Sequence, residues 1–252
     1  GTIGVAGNLT NTATGIGGFT VTGNTVDFNG AVQNIGTFTF NNLTASGTGD
    51  KTATGNLTVN GVLNIDASRI LNMGTNTLSG AALTTSGTGT LRTQNTSATP
   101  LPTGRTWSMQ VNYDLSTGGQ TVMAGTYSNL RLANTSGTQT ASGDLSVTAT
   151  LTNLSGSTLN MSTFALSATA ISNLGATIRT QNTSATPLPT GITIGGTVNY
   201  DAAAGGQTIR PNTYFNLTMG NTSGTQTATA ALSPSGTLTT TAGGTLNMST
   251  FA

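Results

Sequence analysis

The sequence predicts an all-β protein built as a β-solenoid, with coils of about 22 residues stacked into one continuous rod. Three observations predict it. A long segment recurs at a fixed offset of 87 residues. Short runs of three to five residues alternate apolar and polar side chains. No stretch carries a helical period, and the strong helix formers Glu and Lys are almost missing.

The repeat is the first element. Residues 91–104 return as residues 178–191 with one change, Leu91 to Ile178. The match continues through Val111-Asn112-Tyr113-Asp114, which returns at Val198-Asn199-Tyr200-Asp201, to residues 159–165, which return at 246–252. A first, divergent copy carries Phe19-Thr20-Val21, Val26-Asp27-Phe28 and Gln33-Asn34-Ile35. The copies span approximately residues 1–103, 104–190 and 191–252, and the last is truncated. The chain thus reads as cut from a longer array.

Within each copy the runs have period two. Asn56-Leu57-Thr58-Val59, Asn129-Leu130-Arg131-Leu132 and Asp144-Leu145-Ser146-Val147-Thr148 read as strands. Gly, Asn and Ser-Gly pairs such as Ser136-Gly137 and Ser155-Gly156 separate them as turns. Three strands to a coil would give about four coils per copy, with neighbouring strands about 4.8 Å apart. A string of Ig-like sandwiches is the alternative, since the repeat length suits one. The solenoid fits better, because the runs are shorter than sandwich strands and the small apolar residues are spread evenly around a single Trp.

Prolines interrupt the pattern. Proline has no N–H to give to a ladder, so the segments holding Pro100, Leu101 and Pro102, and Pro187, Leu188 and Pro189, are expected to leave the coil as loops. Leu101 and Leu188 would tuck back, and the loop would recur on one side of the rod. These six residues are the candidate contact positions. Tyr113, Tyr127, Tyr200 and Tyr214 join them if exposed; otherwise Tyr127 and Tyr214 are equivalent core or rim aromatics.

Composition narrows the chemistry. Charged residues make up 5% of the chain and the net charge is +1, so the basic stripe of a nucleic-acid binder is missing. His and Cys are absent, which excludes Ser-His-Asp, thiolate and zinc-knuckle chemistry. The six acidic residues are all Asp and are scattered, so paired carboxylates for glycoside hydrolysis are not expected. Asp114 and Asp201 read as turn residues ending a strand. The scattered Arg residues argue against a β-helix polysaccharide-active enzyme. No catalytic, cofactor or metal site is expected. The Gly-rich stretch 15–18 precedes no helix and is not a phosphate loop. No run is long and apolar enough for a membrane helix, no secretion signal opens the chain, and aromatics are too few for the girdles of a membrane barrel. Asn42, Asn95, Asn134, Asn160, Asn182 and Asn221 stand in Asn-x-Ser/Thr triplets, which this composition produces freely and which are glycosylation sites if exposed. Thr-x-Thr motifs such as Thr148-Ala149-Thr150 read as ordinary outward β-formers. An ice-binding rank would need one per coil, and the spacing shows no such file.

The order Val111-Asn112-Tyr113-Asp114, Gly118-Gly119-Gln120-Thr121-Val122, then residues 125–132, 135–140 and 143–148 resembles the repeats of very large secreted bacterial surface proteins, the filamentous-haemagglutinin-like and autotransporter-like β-helix adhesins. The resemblance covers nearly the whole chain and is one of style and composition. It implies a right-handed parallel β-helix, export to the cell surface, and a role as stalk, adhesin or fibre. The partners it implies are further repeats or subunits of the same kind, with a glycan or host surface as the alternative. No family site residues carry over.

Overall fold

The computed structural model describes residues 1–10 and 20–251, and for residues 20–22 the backbone alone. Phe19 and the stretch 15–18 singled out above lie outside the described residues. The described chain is all-β, and every strand pairing in it is parallel. It winds as a solenoid of about 12 turns. A sandwich built from antiparallel hairpins is therefore excluded.

Each coil has three faces. Face I carries Leu57–Val59, Leu78–Ser79 and, later, Thr121–Val122, Thr138–Ala141, Thr158–Asn160 and Thr177–Thr180. Face II carries Val62–Ile65, Thr84–Gly87 and the first halves of Arg105–Tyr113, Gly125–Leu132 and Leu145–Asn153. Face III carries Lys51–Ala53, Ile70–Asn72, Thr90–Thr93 and the second halves of those same three long strands. The long strands turn a corner between two faces. They do so at a register shift, between Trp107 and Gln110 and between Tyr127 and Leu130, where a bulge bends the strand without ending it.

The ladder steps are shorter than the expected coil. Leu91 pairs with Val111, Val111 with Leu130, Leu130 with Leu151 and Leu151 with Ile171, steps of 19 to 21 residues. A coil of about 20 residues does not divide the 87-residue repeat into four. The remainder is one strand. Thr90–Thr93 lies on face III, whereas its equivalent Thr177–Thr180 lies on face I and joins Thr158–Asn160. The shift is systematic. Long strands bend from face I to II in the first copy (Phe38–Ala45), from II to III in the second (Gly125–Leu132) and from III to I in the third (Thr213–Met219). Each copy is four coils and a third, and the next is turned by one face.

The interior follows from the alternation. Leu91, Val111, Leu130 and Leu151 form one file along the axis, each fully buried on its equivalent in the neighbouring coil. Trp107, Tyr127 and Val147 form a second. The rod has no thick core, so its stability is a sum of such coil-to-coil contacts. Turns close the coils where side chains have no room. At Gly137, φ is +75° and an added Cβ would stand 2.1 Å from the Thr117 carbonyl oxygen of the adjacent coil.

A polar ladder occupies an inner corner of each of the second and third copies, one face apart. The Gln120 backbone N–H donates to Gln139 Oε1 at 2.8 Å, and Gln139 Nε2 donates to Gln120 Oε1 at 3.0 Å. Gln207 and Gln226 repeat the arrangement at 2.9 and 2.8 Å. In the first copy Gln33 pairs with Lys51. Lys51 is fully buried, and its ammonium donates to the carbonyls of Gly30, Ala31 and Gly49 at 2.9, 2.7 and 2.8 Å.

Truncating an axial file opens a cavity that the coils on either side hold open. Leu130→Ala is expected to cost about 2–5 kcal/mol, against less than about 0.5 kcal/mol for the outward Thr126→Ala. Reversible denaturant unfolding of both variants measures the difference.

Candidate binding surfaces

The proline segments stay with the coil. Residues 94–104 run from face III to face II, so they fill the place of a face I strand. Leu78 donates its backbone N–H to the Pro100 carbonyl at 3.1 Å, as it would to a strand. Leu166 does the same to Pro187 at 3.1 Å on face II. Pro100, Leu101, Pro187 and Leu188 are buried, and Pro102 and Pro189 half-buried. The two leucines tuck in as expected. The expectation of loops leaving the coil is corrected: a proline needs only to accept from one neighbour to replace an edge of the ladder, and its carbonyl does so. The exposed parts of the segments are residues 96–99 and 103–104 in one, and 183–186 and 190–191 in the other. The two segments also lie on different faces, because the copies are turned by one face, and do not recur on one side.

The four tyrosines are not surface residues. Tyr113, Tyr127, Tyr200 and Tyr214 are all at most 1% exposed. In the second copy the Met123 backbone N–H donates to Tyr113 Oη at 3.0 Å, and Tyr127 Oη donates to the Met123 carbonyl. In the third, Arg210 stands in the place of Met123. Its N–H donates to Tyr200 Oη at 3.2 Å, and its carbonyl accepts from Tyr214 Oη at 2.7 Å. Each pair satisfies both backbone groups of a residue whose strand ends there. The first copy has Phe28 and Phe40 in these positions, packed edge-to-face at 6.1 Å.

Charge is spent between coils. Arg92 Nε donates to Asp114 Oδ2 at 2.6 Å, and Arg179 Nε to Asp201 Oδ2 at 2.7 Å, each pair bridging neighbouring coils. Asp114 and Asp201 are therefore coil-to-coil ties as well as strand-end residues. Arg131 and the first pair border a shallow polar depression on face III. A second groove, on face II beside Leu188 and Pro189, holds Asp144 and Arg210, but Asp144 Oδ1 accepts from the Ala165 N–H at 2.8 Å and Arg210 Nη1 donates to the Ala185 carbonyl at 3.0 Å. Among the described residues, no three His, Cys, Asp or Glu gather as a metal site, and no helix is long and apolar enough to cross a membrane.

Asparagine is mostly inside. Asn95, Asn134, Asn182 and Asn221 are at most 6% exposed, and their side-chain amides hold turn backbones, as when Asn134 Nδ2 donates to the Ser136 carbonyl at 2.9 Å. Those four are closed to a glycosylating enzyme in the folded rod; Asn42 and Asn160 are half-buried. Threonine shows the reverse. Thr138, Thr158, Thr177 and Thr197 stand in register on four successive coils of face I. Three of its members lie in the second copy, at steps of 20 and 19 residues, and it continues across the copy boundary to Thr197, so the expectation that no such file exists is corrected. Its neighbouring file reads Thr140, Asn160, Arg179, Asn199, so the hydroxyl rank is not uniform.

No family model, curated protein or solved structure matches the chain.

Another depression differs in kind. It lies at the corner of faces III and I where the second and third copies meet, has a volume of about 550 Å³, and is bordered by Leu174, Gly195, Gly196 and Phe215. No motif flagged it in the sequence. The available signal was a departure from the repeat: Leu174 and Phe215 stand where the preceding copy has Gly87 and Ser128.

The buried hydroxyls set the alkaline limit of the fold. Burial pushes Tyr113 up to about 12, and Tyr127, Tyr200 and Tyr214 are raised for the same first reason. Unfolded tyrosines ionise near 10.0, so above that pH the folded state holds more protons than the unfolded one, and stability falls as pH rises. Lys51 acts with the opposite sign. Its burial, then the charge of Arg69, lowers it below 10.5, so its destabilising contribution fades as pH approaches that value. Four tyrosines outweigh one lysine. Stability is expected to fall steeply above pH 10, with tyrosinate absorption appearing together with loss of β-structure; tyrosinate forming in a still-folded rod would contradict it. Tyr113→Phe leaves the Met123 N–H unpaired and is expected to cost about 1–3 kcal/mol.

Proposed function

We propose that the chain is a segment of a structural rod, a fibre or stalk exposed on a bacterial cell surface, and that its work is mechanical. One observation carries the reading. The ladder runs unbroken across the boundaries between copies, because each copy ends one strand past a whole number of coils and the next begins on the following face. A module built this way extends by repetition alone and needs no linker. It also has no stiff or soft side, since the bent strands are distributed over all three faces in turn.

Other features agree with an exterior rod. Two ion pairs tie neighbouring coils, and Lys51, Arg105 and Arg210 donate to carbonyls of neighbouring coils. Cysteine is absent, so the rod resists by backbone hydrogen bonds and packing, not by crosslinks. The resemblance to repeats of secreted bacterial surface proteins points to export and to further repeats of the same kind as neighbours.

Duplicating one module tests this. A chain with residues 89–175 inserted a second time after residue 175 is expected to be longer by about 21 Å at unchanged cross-section, and by the same amount for each further copy. Small-angle scattering gives both quantities. Compact particles whose cross-section grows with each copy would sink the reading.

A further inference from the structure

A recess lies where the second and third copies meet, and its lining has a specific chemistry. It lies where the strand Thr193–Tyr200 bends from face III to face I, at the register shift between Ile194 and Thr197. Gly195 and Gly196 form its floor. Gly196 has φ +61°, and an added Cβ would stand 2.2 Å from the Asn173 carbonyl oxygen, so no side chain can fill the floor from there. The second copy has Met109 at this position, fully inside. The corner is held by Asn173, buried, whose Nδ2 donates to the Gly195 carbonyl at 2.7 Å.

Two apolar side chains border this floor, one on either side along the axis. Leu174 is 74% exposed and Phe215 51% exposed, the former reaching over Gly195 and the latter over Gly236. They are two coils apart, roughly 10 Å along the axis. Exposing a leucine and a phenylalanine costs solubility and contributes little to the core. Ser128 and Asn41, the equivalents of Phe215, show that the fold does not need an aromatic there. The lining is mostly apolar, from Leu174, Ile194 and Phe215, with hydroxyl and amide groups of Thr193, Thr213 and Asn216 set among them. No Asp, Lys or Arg lines the recess.

We infer that this recess binds an uncharged saccharide, with a pyranose ring lying against Phe215 and its rim hydroxyls bonded to the surrounding threonines and Asn216. An exposed aromatic ring presents an apolar face to sugar C–H groups, and neutral hydroxyls match neutral hydroxyls without desolvating a charge. The size agrees. A volume of 550 Å³ falls within the roughly 300–1,000 Å³ of small-ligand sites. A second protein chain needs a patch of about 800 Å² per partner, far more than one leucine and one phenylalanine provide. The inference does not depend on the rod being a surface fibre; it needs only the fold.

The test uses the full chain and a panel of neutral tetrasaccharides with glucose, mannose, galactose and xylose backbones, read by affinity electrophoresis and titration calorimetry. At least one is expected to bind, with an affinity insensitive to salt. Phe215→Ser, the residue of the second copy, is expected to weaken binding by more than about tenfold while leaving thermal unfolding unchanged; Phe215→Tyr is expected to retain it. Ser184→Arg, on the exposed part of the proline segment, is expected to have no effect. No binding by any member, or binding untouched by Phe215→Ser, overturns the inference. So does concentration-dependent dimerisation lost in Phe215→Ser, which would make the recess a contact between copies.

Discussion

Closure of a three-sided coil in register with its neighbours is the constraint on which everything else depends. A parallel ladder gives each residue a partner about 20 positions away in both directions. The backbone of one coil therefore dictates the path of the next, and an inward side chain must sit on another of compatible size. Leu91, Val111, Leu130 and Leu151 obey this literally. The same constraint explains why polar groups inside are as repetitive as apolar ones. A buried amide is tolerable only if its partner recurs at the same height on the next coil, and Gln120 with Gln139 and Gln207 with Gln226 show that solution twice.

The fractional repeat follows from the same geometry. Duplication copies sequence, and the fold then accepts the copy only if its first strand can continue the ladder where the last strand stopped. The three faces are similar enough for a strand evolved on face III to work on face I. Thr177–Thr180 does so with Thr90–Thr93 as its parent, and its ion pair to the next coil is reproduced intact, Arg179 with Asp201 for Arg92 with Asp114. Interactions between successive coils move with the copy. Their direction around the rod does not, because each copy is turned by one face.

Much of the fold was legible because its signal is local. Alternation, Gly and Asn turns and the exact repeat each point to stacked strands, and the structure has them. The rotation between copies was not legible, because a repeat length alone does not say whether it spans a whole number of coils; only the register does. The proline segments misled for a physical reason. Sequence marks the missing N–H of Pro100, but a strand position needs that N–H only if something lies on its donor side, and here the carbonyl alone is used. Tyr113 and Tyr200 were visible as repeated aromatics, yet their burial depends on a backbone group ten residues away, at Met123 and Arg210, that no pattern within one coil reveals. The recess at Leu174 and Phe215 carries no motif and appears only as disagreement between copies.

Such disagreements are informative because most of this chain is not free to vary. Where copies differ inside, the difference is another answer to the same demand. Lys51 replaces a glutamine and satisfies three carbonyls with its ammonium. Phe28 and Phe40 replace two tyrosines where Gly36, in place of Met123, sends its N–H to the Leu9 carbonyl at 2.9 Å instead. These substitutions keep the backbone groups paired, so stability accounts for them. Phe215 is different. Where the second copy has serine, its ring lies over Gly236, pairs no donor and leaves half of a large apolar side chain in water. It answers no demand of the backbone, and the role proposed for it is contact with a saccharide outside the rod.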